Sequence, residues 1–141
     1  MIDKVRKEVE KLIKELKLNC SVEEFKYEAS WSDISMKQTL SEDLIREFKD
    51  EVNWFCISVY QKLLEEFIRE FKDKVNWNKI SKHQILSEEF IREFKDSVYW
   101  NNISEYQVLS NEFYNEFKDK IAVDKLLLNK EIKIDILISQ K

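Results

Sequence analysis

The 141-residue chain has no glycine and no proline, where average usage would supply about 7% of the first and about 5% of the second. Gly-rich phosphate loops, dinucleotide-binding fingerprints and nucleophile elbows all need backbone positions that only glycine reaches cheaply, so those chemistries are excluded. Tight β-hairpins lean on glycine too, which disfavours a sandwich or a barrel. What remains is an all-α chain. Two cysteines, Cys20 and Cys56, and one histidine, His83, form no CxxC pair and are too few for a usual zinc site. Both thiols read as free in a reducing compartment. No apolar run reaches the roughly 18 residues of a membrane helix, and the first residues mix charge into their apolar pattern, unlike a signal peptide. A cytoplasmic protein is expected. Cations are short as well: 24 Lys+Arg face 28 Asp+Glu, a net charge of −4, which argues against sequence-independent nucleic-acid binding.

Aromatic residues are plentiful, with 9 Phe, 4 Trp and 5 Tyr for a core. Their placement is periodic. A shift of 23 residues superposes Trp31, Trp54, Trp77 and Trp100, then Ile34, Ile57, Ile80 and Ile103, without a gap. Ser35, Ser58, Ser81 and Ser104 follow, with Gln38, Gln61, Gln84 and Gln107, and four copies of EFKD. This is a tandem repeat.

Each copy reads as two helices. A longer one starts near Ser41, Ser87 and Ser110, whose hydroxyls suit an N-cap. Leu40 with Ile45, and Leu86 with Ile91, stand at hydrophobic-staple positions. Leu40, Leu44, Ile45, Phe48 and Val52 then lie on one helical face, opposite an i,i+4 ladder of Glu42, Arg46 and Asp50. The shorter element begins at Asn53 or Asn76, which can serve as turn residue and N-cap together, tolerating the left-handed geometry that glycine would otherwise supply. Neither helix can bury its stripe alone. Stacking copies solves that, giving a short α-solenoid.

The boundaries follow the repeat within one domain, 1–141. Residues 1–18 form an amphipathic N-terminal capping helix, and 19–39 a degenerate copy in which Phe25 matches Phe48. Full copies span 40–62, 63–85, 86–108 and 109–131, and 132–141 make a C-terminal cap. Over Glu131–Ile138 the repeat register favours helix, although the alternation of apolar and polar residues also suits a strand.

Units of the form LSEEFIREFKDxVxWxxISxxQ resemble a family of short helical repeats abundant in mimivirus-like giant DNA viruses and found in some phage genomes. The likeness is close over 40–121, weaker over 21–39 and 122–138, and absent from the first helix. Leu64 departs from the usual Ser, and Asn111 and Asn115 depart from the acidic and Arg positions. The resemblance implies an α-solenoid of viral or phage type, with no established activity.

A unique active site is not expected, because the matching polar residues recur in copy after copy. Glu47, Glu70, Glu93 and Glu116 cannot all be one general acid, the Gln series suits backbone bonding between copies, and the Trp series suits the core. No Ser/His/Asp or Cys/His arrangement surrounds His83. Function is expected where copies disagree on exposed positions. Phe55, Tyr60, His83 and Tyr106 fall on such a ridge, with Lys74, Lys79 and Lys82 beside it, and aromatic residues are frequent interface anchors. The expected function is a non-enzymatic protein-interaction module without cofactor or metal. Given the viral likeness and small size, its partner is expected to be a host defence factor or nucleoprotein complex that it inhibits, as anti-CRISPR proteins do. Two alternatives stay open. One is RNA binding through Lys74, Lys79 and Lys82, or nucleic-acid mimicry by acidic rows. The other is self-association through the repeat ends.

Overall fold

The computed structural model of the protein describes residues 1–131. Every regular element among them is a helix: α1 Asp3–Glu15, α2 Phe25–Glu28, α3 Trp31–Lys37, α4 Glu42–Glu47, α5 Trp54–Tyr60, α6 Glu65–Glu70, α7 Trp77–His83, α8 Glu88–Glu93, α9 Trp100–Tyr106, α10 Asn111–Glu116 and α11 Val123–Leu126. The chain is an all-helical repeat protein of the short solenoid type, divided into two compact units, Met1–Leu63 and Leu64 onward. The expected cap over 132–141, and the choice between helix and strand after Glu131, lie outside the described residues.

The serine caps form as the sequence requires. Ser41, Ser87 and Ser110 each accept at 3.1 Å from the backbone N–H three residues on. Asn53 and Asn76 cap α5 and α7 in the same way. Neither is left-handed, however: their φ/ψ values are −84/102 and −87/103, the extended geometry an N-cap needs. Among the described residues only Lys17 has positive φ, at 54°. Past Lys17, the described residues turn between helices without any other glycine-like position.

The longer helix is also shorter than its apolar spacing suggests, six residues against seven for its partner. Phe48, Phe71, Phe94 and Phe117 all leave the helix with φ near −110° (−108, −108, −107 and −114). Side chains take both ends of the bond that would continue it. The Lys49 carbonyl accepts from the Trp54 indole at 2.9 Å, and the Asn53 N–H donates to Ser35 Oγ at 3.0 Å. The same pair of substitutions recurs at Lys95 with Trp100 and at Tyr99 with Ser81. Val52 keeps its place on the apolar face because its N–H still bonds the Phe48 carbonyl at 3.0 Å.

In the first unit, Val5, Val9 and Leu12 of α1 are buried together with Phe25, Leu44, Ile45 and Ile57. In the second, Phe67, Ile68, Ile80, Phe90, Ile91, Ile103 and Phe113 are wholly buried. At about 1.5–3 kcal/mol each, these side chains dominate the stability. The tryptophans differ from the expectation of a core role. All four are half-buried; Trp31, Trp77 and Trp100 pack edgewise, tilted or stacked on phenylalanine rings, with centroids 4.9 Å apart for Trp77 and Phe94. The indole N–H explains their position, since it must reach the carbonyl five residues back.

Leu64 precedes α6 with φ −74° and ψ 149°, close to Ser87 at −71° and 154°, but gives no side-chain cap. Leu64→Ser should therefore restore a bond to the Phe67 N–H and raise stability by about 1 kcal/mol. Thermal unfolding should show a rise of roughly 3 °C; an unchanged or lower midpoint would contradict the capping role.

Candidate functional site

Most repeated polar residues are used up in holding copies together. Gln61 donates to the carbonyls of Ser35 and Gln38 and accepts from the Leu40 N–H. Gln107 does the same for Ser81, Gln84 and Leu86, at 2.9, 2.7 and 3.0 Å. Asn129 takes this place at the next step, donating to Ser104 and Gln107 carbonyls, although strict register puts Lys130 there. The glutamine expectation holds at Gln61 and Gln107.

Three further links were not legible from spacing. The buried Ser81 and Ser104 hydroxyls each donate to the tryptophan carbonyl of their own helix and accept from the N–H of the residue that precedes the next copy's short helix, Tyr99 and Ala122. The first acidic residue of one helix accepts from the capping serine of the next, Glu65 to Ser87 and Glu88 to Ser110. Glu8 of α1 accepts from Ser41 in the same manner, so α1 acts as a preceding copy. The expected i,i+4 ladder is replaced in the second unit. Arg69 pairs with Glu93 at 2.8 Å and Arg92 with Glu116 at 2.7 Å, each reaching the following copy. Their guanidiniums lie over the Phe90 and Phe113 rings. The hydrogen-bonded carboxylates push both arginines above their ordinary pKa, so neither is a proton-transfer candidate. Arg46 stays closer to expectation, near Glu42 at 3.9 Å and nearer Asp43 at 2.9 Å.

With those residues assigned to the fold, the candidates sort by place. Phe55 and Tyr60 are exposed on α5 of the first unit, 49% and 53% accessible. Lys74, in the turn after α6, is exposed, and Lys79 on α7 is half-buried. Lys82, His83 and Tyr106 come together in the second unit. The Lys82 ammonium lies 5.1 Å from the Tyr106 ring centroid, a cation–π arrangement. These three line a groove of about 290 Å³ with Ile85, Val108 and Glu131. Partial burial first, then the charges of Lys82 and Lys79, hold the His83 imidazole below its usual pKa.

Ile85 and Val108 are what sequence reasoning missed. Gln84 and Gln107 leave their helices in extended geometry, ψ 146° and 152°, so successive side chains alternate. The glutamines and then Leu86 and Leu109 point inward, which turns Ile85 and Val108 outward, 93% and 58% exposed. Thr39 and Lys62 hold the same position in the first unit and are exposed too, so the fold does not ask for an apolar residue here. Comparing copies at that position would have found the pair.

Among the described residues no group of three or more His, Cys, Asp or Glu could hold a metal ion, Cys56 is buried, and no helix is long and apolar enough to cross a membrane. Fold and site together define a helical-repeat protein whose described residues form an apolar, partly cationic groove. The chain matches no protein-family description, no curated protein and no solved structure.

Proposed function

We propose that the protein is a non-enzymatic interaction module that docks a partner protein on the exposed face of its second unit. The observation that carries this reading is the pair Ile85 and Val108, held in the open beside Tyr106 where the fold accepts polar residues. Exposed apolar side chains clustered with an aromatic ring are what interface anchors look like before the partner arrives. The likeness of the repeats to viral and phage sequences adds the sharper form, inhibition of a host defence factor. The lysine arrangement supports a protein partner over RNA: Lys79 is half-buried, and Lys82 beside an apolar floor is a single cation, not a phosphate-tracking row.

The test is affinity capture from a bacterial host with the full chain and with an Ile85→Asp/Val108→Asp variant. A defined partner should co-purify with the first and not the second, while circular dichroism is unchanged. Expression should also relieve restriction of phage if the partner is a defence component. Equal capture by both proteins, or none, would overturn the reading.

A further inference from the structure

We propose that the groove at the C-terminal ends of α7 and α9 takes an extended peptide segment in which an aliphatic anchor is followed by carboxylates. This rests on the docking reading above and names the chemistry of the docked segment. Three features shape the choice. The volume, about 290 Å³, lies at the lower limit for small-molecule sites, enough for one or two side chains and too little for a cofactor. The exposed floor is apolar, Ile85 and Val108 with the ring of Tyr106, so an aliphatic side chain seated between them shields all three from water.

The third feature is charge. At the α7 end the groove carries Lys82 and His83, with Lys79 near enough that it and Lys82 both disfavour protonation of the imidazole. The copy that supplies this end, 63–85, has five cations and four acids, whereas each of the other full copies carries more acids than cations. Glu131 also lines the groove, and its negative charge disfavours a second carboxylate beside it, so the ligand's carboxylates belong beside Lys82. A uniformly acidic ligand is disfavoured because the chain itself carries −4. The anchor is therefore required, and the carboxylates set orientation and specificity.

The experiment pans a random decapeptide library displayed on phage against the full chain, then measures fluorescence anisotropy with fluorescein-labelled copies of the selected peptides. Selected sequences should place Leu, Ile or Phe next to Asp or Glu. Ile85→Asp should weaken them at least about tenfold, and Lys82→Glu should weaken them severalfold with reduced salt dependence. Both positions are exposed, so folding is preserved and can be confirmed by circular dichroism. Basic or uncharged consensus sequences, no enrichment, or equal binding to Ile85→Asp would overturn the proposal. If the aspartate pair abolishes partner capture while no acidic consensus emerges, the inference alone fails; if capture is also unaffected, the docking reading falls with it.

Discussion

Gln107→Leu should lower the unfolding free energy by about 3–5 kcal/mol, although leucine nearly matches the shape of glutamine. The substitution strands two carbonyls, of Ser81 and Gln84, and the N–H of Leu86, all bonded to one side chain that is only 3% exposed. Each buried backbone group left without a partner costs about 1–3 kcal/mol, and relaxation or water entry recovers part of that sum. Urea unfolding followed by circular dichroism reads the effect, with an unchanged slope expected if only the folded state is altered. A change below about 1 kcal/mol would mean that these bonds are decorative. Such a result would remove the polar seam from the account of how copies are joined in the second unit.

Phe90→Ala should have a comparable effect for an unrelated reason. The ring is wholly buried, 4.7 Å from Phe94 and 6.1 Å from Trp77 between centroids, with the Arg69 guanidinium 5.2 Å away on its face. Truncation removes apolar contact and leaves a cavity, together about 3–5 kcal/mol. It also uncovers Arg69, whose partner Glu93 lies on the same helix as Phe90. Phe90→Leu keeps most of the volume and should cost under about 2 kcal/mol. Near-equal losses in the two variants would show that the site fails to collapse or repack in the way the packing requires.

The parts of this fold that were legible in the sequence are those that act within one helix or one turn. Serine and asparagine caps, the staple pairs and the apolar stripe all depend on neighbours two to five residues away, and their spacing announces them. The glutamine role was reachable because a buried amide at a recurring turn has few other uses. Trp54 was misplaced because period counting assigns a side chain to a face, and says nothing of an indole N–H that must meet the Lys49 carbonyl. The Arg69–Glu93 and Glu65–Ser87 links escaped for a related reason. Their partners are 24 and 22 residues apart, and a linear pattern does not rank contacts at that distance. Ile85 was hidden by its own chemistry, since an isoleucine beside a core leucine reads as core until the extended backbone turns it outward.

The seam of side-chain-to-backbone bonds has a consequence for how such a chain can change length. In the second unit each link joins one copy to the next through residues that recur, serine to the following N–H, glutamine to the preceding carbonyls, arginine to the following glutamate. A duplicated 23-residue segment would arrive with its own sockets and plugs already matched to both neighbours. Genetic growth of the array then demands no compensating mutation at the new junction, and single positions such as 85 and 108 are left free to diversify from copy to copy.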